Sequence, residues 1–227
     1  MQLYWIIFIG TALLSYIVQA SLQSKYNKYS KIRIDGYLTG KDVAERMLRE
    51  HGITDVRVTC IAGTLTDNYN PTNKTLNLSD GVYNSCSVMA AAVAAHECGH
   101  AVQHACGYIP VKVRSALVPV VSISSRLVTW VLLAGMLLIN VFPHLMLAGI
   151  TLFAMTTLFS LVTLPVEIHA RRRALEWLNN TGITNYSNHE YAVSALKSAA
   201  YTYVVAALSS LATLLYYVMI FLGGRRR

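Results

Sequence analysis

The chain has 227 residues, of which 54% are hydrophobic and only 13% charged, and it carries a formal net charge of +8. That balance excludes an ordinary soluble domain and favours a small domain joined to membrane spans. The positive charge does not make a nucleic-acid surface, because the basic residues cluster beside apolar stretches instead of along one soluble face.

Four stretches approach the ~20 helical residues needed to cross a bilayer core: Leu3 to Ala20, Ala116 to Phe142, Leu145 to Val166 and Tyr201 to Leu222. The first lacks a basic leader and a small-x-small cleavage site, so it is expected to stay as an anchor. The second contains Pro119, several serines and Arg126, and its amino-terminal part is expected at the interface. Lys25, Lys28, Lys31 and Arg33 follow the first span. Lys112 and Arg114 precede the second, Arg171 to Arg173 follow the third, and Lys197 precedes the fourth. The positive-inside rule makes that shared side cytoplasmic, although Arg225, Arg226 and Arg227 argue the other way. Cys60, Cys86, Cys98 and Cys106 show no paired metal spacing and are read as small buried hydrophobes.

These boundaries divide the chain into an anchor at 1–21, a soluble part at 22–115 and a membrane hairpin at 116–166. A helix and connecting segment follow at 167–198, then a last span at 199–223 and a basic tail at 224–227. Within the soluble part, Val43, Met47 and Leu48 recur at helical spacing between Thr39 and His51, and Gly52 marks a stop. Val56, Val58 and Cys60 alternate as in a strand, and Leu65 to Tyr69 and Thr75 to Leu78 flank the turn-forming Asn70-Pro71-Thr72-Asn73. From about 87 to 105 an alanine-rich run predicts a closely packed helix.

That helix carries His96-Glu97-Cys98-Gly99-His100, an H-E-x-x-H pattern. Residues four apart lie about 40° apart around a helix and ~6 Å along it, so two imidazoles can converge on one Zn2+ ion. Glu97 then stands beside the metal, where it can take a proton from bound water as general base. A catalytic zinc usually has three protein ligands and one open position. His104 continues the stripe but sits about 6 Å beyond His100 on an unbroken helix, because Gln103 stands where metzincins have the glycine that lets the chain turn back.

Glu167 is the stronger third candidate, since two spans leave and return to one membrane face and bring it back toward the helix. The alternative is that Glu167 faces the positive end of a new helix begun or kinked at Pro165, or pairs with Arg171. His169, about 200° around the helix from Glu167, is a lesser ligand candidate. His104, His169 and Arg171 remain candidates for supporting or oxyanion roles, as do Tyr201 and Tyr203 for the oxyanion.

The chain resembles the YugP-like membrane zinc metallopeptidases over nearly its full length. The resemblance rests on the first span, the Tyr69-Asn70-Pro71 to Leu78-Ser79 hairpin, and Ala94-Ala95-His96-Glu97-Cys98-Gly99-His100-Ala101-Val102-Gln103. It continues through Arg114-Ser115-Ala116-Leu117-Val118-Pro119, Leu164-Pro165-Val166-Glu167 and Arg172-Arg173-Ala174-Leu175. It implies a mainly α membrane protein with about four transmembrane helices and a small α+β, gluzincin-like zinc peptidase domain. It further implies one catalytic zinc on His96, His100 and Glu167, with Glu97 as general base. His169 and Arg171 depart from the family pattern of a small acidic or amide residue and a small residue, which removes the expected carboxylate behind a zinc-bound imidazole. The resemblance also makes Lys74 to Leu78 an edge strand able to pair with extended substrate.

The expected activity is zinc-dependent endoproteolysis of a protein or peptide substrate, membrane-associated by location, in a bacterial cell membrane with the catalytic part cytoplasmic. The lipid bilayer is the other expected partner, and nucleic acid is not one. Two readings compete with it. A catalytically silent, zinc-clamped scaffold or partner-binding protein has no need of Glu97, and a metal transporter would place its ligands within the apolar segments.

Overall fold

The computed structural model describes residues 2–224, so Arg225, Arg226 and Arg227 of the basic tail lie outside the described residues. Seven helices longer than one turn or so and three short strands follow one another in chain order among them. They are α1 Gln2–Tyr29, α2 Gly40–Glu50, β1 Arg57–Ile61, β2 Asn68–Asn70, β3 Thr75–Ser79, α3 Asp80–Tyr83, α4 Val88–Ala105, α5 Ile109–Leu137, α6 Pro143–Asn180 and α7 His189–Gly224. The chain divides into two compact units. One comprises α1 up to Tyr16, the chain from Lys112 to Pro165, and α7 from Tyr203; the other comprises Ile17–Val111 and Val166–Thr202.

The first unit is built from apolar helix. Its α5–α6 hairpin closes where glycine removes bulk: a Cβ on Gly135 would lie 2.7 Å from the Met146 Cα, and one on Gly149 would lie 2.8 Å from Leu132 Cδ2. Around these contacts Val128, Leu132, Met146 and Ile150 form a small buried cluster. Close backbone approach through small residues is how helices associate where hydrophobic burial gives little drive. Thr157 and Ser210 pair their hydroxyls across α6 and α7 at 2.7 Å. Large apolar side chains such as Trp130, Leu137 and Val141 remain exposed. Helices α1, α5, α6 and α7 are long and apolar enough to cross a membrane. Helix α5 starts at Ile109, so Lys112, Arg114 and Pro119 all fall within it, and the chain is already turning by 138–142.

The second unit packs around α4. Fourteen of the 18 residues of α4 are buried, which is why its sequence is rich in alanine: an all-round buried helix admits only small side chains where its neighbours press close. Ser87 caps it by accepting the Ala90 N–H at 3.1 Å. The core joins Val43, Ala44 and Met47 of α2, Leu76 and Leu78 of β3, and Ala174 and Leu178 of α6 to the α4 alanines. Fully burying a side chain of the size of Met47, Leu76 or Leu78 stabilises the fold by roughly 1.5–3 kcal/mol. Helix α2 begins with the capping box Thr39/Asp42, in which Asp42 N–H donates to Thr39 Oγ1 and Thr39 N–H donates to Asp42 Oδ2.

Three features of this unit correct the sequence reading. The strand order is β1-β3-β2, with β1 parallel and β2 antiparallel to β3. The segment expected at the edge, Lys74 to Leu78, is therefore the centre of the sheet, consistent with the burial of Leu76 and Leu78; β1 and β2 are the edges. Helix α6 does not restart at Pro165 but runs through it. Proline sacrifices one helical hydrogen bond there. Val166, Ala170, Ala174 and Leu178, one stripe at four-residue spacing, are each fully buried, and that packing holds the helix together. Finally, Cys98 is buried, whereas Cys60 on an edge strand and Cys106 at the end of α4 are exposed and Cys86 is half-buried.

Candidate metal centre

His96 and His100 lie one turn apart on α4, their ring centroids 4.8 Å apart. The apolar side of α6 faces this helix, and Glu167, next to Val166 in the buried stripe, turns inward with it and is 2% exposed. Nε2 of His96 is 3.2 Å and Nε2 of His100 3.4 Å from the same atom, Glu167 Oε2. Each of the three residues offers one donor atom, and all of these lie within 4.8 Å of one another.

The donors themselves test whether an ion fits. Charge-assisted N–H···O bonds prefer about 2.7–2.9 Å. Both distances to Glu167 are longer, and one oxygen is shared by two rings. Zinc bonds of about 2.0–2.1 Å directed to the corners of a tetrahedron put neighbouring donors ~3.3 Å apart. Two imidazoles and a carboxylate, all poor in competing partners and at this spacing, suit that ion.

Burial alone would raise the Glu167 carboxyl, but hydrogen bonds and charge from His100 and His96 outweigh it, and the group is held below the ordinary carboxylate range. His100 is raised above the ordinary imidazole range: burial opposes this, and the Glu167 hydrogen bond and charge overcome it. Glu97, buried on the same helix, is pushed up chiefly by desolvation, with His100 and His96 partly offsetting and the negative charge of Glu167 and Asp67 adding. A carboxyl so poised can hold a proton and give it up nearer neutrality than an exposed glutamate.

The remaining candidates fall in different places. His104 is exposed and its ring lies 6.1 Å from that of Tyr69, outside the three-residue cluster. His169 stacks on Tyr108 with centroids 4.4 Å apart and is not part of the cluster either. Arg171 lines a cavity between α6 and α7 with Asn179 and His189. Tyr201 is exposed and lies under the Lys197 ammonium. Sequence reasoning passed over two residues. Asp67, before β2, accepts the Ser79 N–H at 2.7 Å and its hydroxyl at 3.0 Å. Gln103, treated only as the residue replacing a glycine, bonds His100, His169 and Val166. Its position three residues after His100, on the same helical face, was the available clue.

Gly99 lets these helices meet. A Cβ there would lie 2.8 Å from the Ala170 carbonyl oxygen and 3.2 Å from its Cα, both backbone atoms of α6 that cannot swing aside. Gly99→Ala should therefore push α4 off α6, lowering stability by about 1–3 kcal/mol. It should also weaken metal binding, as read by thermal unfolding and zinc titration of the same preparation.

The family described as "putative neutral zinc metallopeptidase" matches residues 4–222. The chain belongs to that family. It is also 41% identical over 212 residues, 93% of each chain, to a Bacillus subtilis (strain 168) protein named "Putative membrane protease YugP". No solved structure matches the chain.

Proposed function

We propose that this chain is an integral-membrane zinc endopeptidase, with one ion held by His96, His100 and Glu167 and with Glu97 as the catalytic base. The observation that carries the reading is the convergence of two imidazole Nε2 atoms of α4 on one buried carboxylate oxygen of α6, with Glu97 one residue after His96. Zinc held there by His96, His100 and Glu167 would supply Lewis acidity to the scissile carbonyl and to the attacking water. Glu97 takes the proton of the attacking water and delivers it to the leaving amine. Its buried setting keeps that proton from bulk solvent between the two transfers. His96 and His100, each with only a sixth or less of its side chain exposed, limit how much water reaches the centre.

The four long apolar helices and the membrane protease named among the relatives support placement in a bilayer. The basic residues Lys25, Lys28, Lys31 and Arg33 after the first span, with Arg171 to Arg173 after the third, support a cytoplasmic location for segments 22–115 and 167–198. Peptide segments of membrane or membrane-proximal proteins are the substrate class this location favours. With β3 in the middle of the sheet, an extended substrate has β1 or β2 to pair with, and Tyr69 of β2 has its ring 6.1 Å from that of His104.

The test is metal removal. Protein reconstituted in bilayers should cleave an unfolded or membrane-inserted reporter polypeptide, stop when chelation strips it of zinc, and recover on adding one equivalent back. Cleavage that continues in protein shown by elemental analysis to contain no metal would overturn the reading.

A further inference from the structure

Gln103, one turn beyond His100 on α4, is fully buried, and its side-chain amide has three partners. Oε1 is 3.1 Å from Nδ1 of His100. Nε2 donates to the Val166 carbonyl at 2.8 Å and lies 3.1 Å from Nδ1 of His169. A backbone carbonyl can only accept, so Val166 decides which end of the amide is nitrogen. The oxygen must then face His100, and Nδ1 of His100 must donate to it. By the same logic the second amide hydrogen points at His169, whose Nδ1 accepts it.

The geometry points to Gln103 as a positioning residue of the metal centre: a neutral amide that keeps the proton of His100 on Nδ1 and so leaves the Nε2 lone pair for the ion. This rests on the zinc reading above. Histidines that bind metal usually donate their other ring N–H to a carboxylate or carbonyl, which fixes both tautomer and ring orientation. Here an amide on the same helix fills that role, supplying what the basic His169 and Arg171 cannot. The amide does more than orient one ring, because its nitrogen grips the peptide just before Glu167. One side chain therefore spans the histidine ligand of α4 and the residue adjoining the carboxylate ligand of α6, and sets the separation of the two locally. His169, stacked on Tyr108 at 4.4 Å, closes the other side of the amide. His96 has no such support, its buried Nδ1 lacking a hydrogen-bond partner among the described residues. Changes at Gln103 should thus be felt through His100.

The experiment measures zinc affinity of the folded full-length protein in lipid discs by competition with a chelating dye. It compares wild type, Gln103→Met, Gln103→Glu and, as a reference for a missing ligand, His100→Ala. Gln103→Met, similar in size but without hydrogen bonds, should bind zinc about 10–100-fold more weakly. Gln103→Glu, which keeps an acceptor for Nδ1, should retain more of the affinity than Gln103→Met. Wild-type affinity in folded Gln103→Met, or equal loss in the two variants, overturns the inference. If wild type binds no more tightly than His100→Ala, it is the zinc reading that fails. Should Gln103→Met not fold, histidine 15N spectra of the zinc-loaded wild type decide. His100 with a protonated Nδ1 and metal on Nε2 is expected, and metal on Nδ1 overturns the assignment.

Discussion

Glu97→Gln should leave one zinc bound per chain and reduce cleavage by about 10²–10⁴-fold, the range over which a positioned proton-transfer group contributes. The substitution is nearly isosteric, and Glu97 is not among the residues whose donor atoms converge in the cluster, so neither the packing of α4 nor the metal donors should change. An amide cannot accept the proton of the attacking water, so the loss should appear in kcat. Substrate affinity should be unaffected. The buried carboxyl is raised mainly by desolvation, and a neutral side chain escapes that cost, so the variant should unfold no earlier than wild type. Zinc content, thermal unfolding and turnover measured on one preparation check all three parts. A silent zinc-clamped scaffold would give wild type and variant the same effect on any membrane protein they process. The same variant, still able to bind substrate, is suited to capturing it.

The second large effect is expected at Glu167. Glu167→Ala removes the carboxylate that both imidazoles approach, at 3.2 and 3.4 Å, and leaves two histidines on one helix. Zinc affinity should fall by more than the ~10–100-fold typical of losing a supporting hydrogen bond, and cleavage should fall with it. Arg171→Ala provides the contrast. If Glu167 served only to pair with Arg171, the two substitutions would cost similar stability and neither would alter metal content. The present geometry makes Glu167→Ala the one that empties the site, because among the described residues the ion-pair partners of Glu167 are His96 and His100, both from α4, and not Arg171.

Local features of the site were legible in the sequence, because a four-residue spacing on a helix is a local property. The helix about 87–105 and its two histidines need nothing beyond helical geometry, and α4 occupies Val88–Ala105. Glu167 lies 71 residues beyond His96. It could be singled out only by reasoning that a membrane hairpin returns the chain, together with the family resemblance. What could not be read depends on partners distant in the chain. β1 pairs with β3 across the intervening β2, so a hairpin pattern alone made β3 look like an edge. Pro165 reads as a helix start, yet the buried stripe from Val166 to Leu178 carries α6 past it. Gln103 looks like an unremarkable helical polar residue until Val166 and His169, 63 and 66 residues away, are brought to its amide. Strand alternation likewise suggested that Cys60 points inward, but on an edge strand it faces out.

X-ray absorption at the zinc edge tests the central claim most directly, because it counts and identifies the atoms around the metal in the intact protein. The account predicts one zinc per chain with two imidazole nitrogens at about 2.0–2.1 Å and carboxylate or water oxygen at about 2.0–2.2 Å, the imidazole signature halving in His96→Ala. Sulfur at about 2.3 Å, or a coordination shell unchanged in His96→Ala and Glu167→Ala, would contradict it.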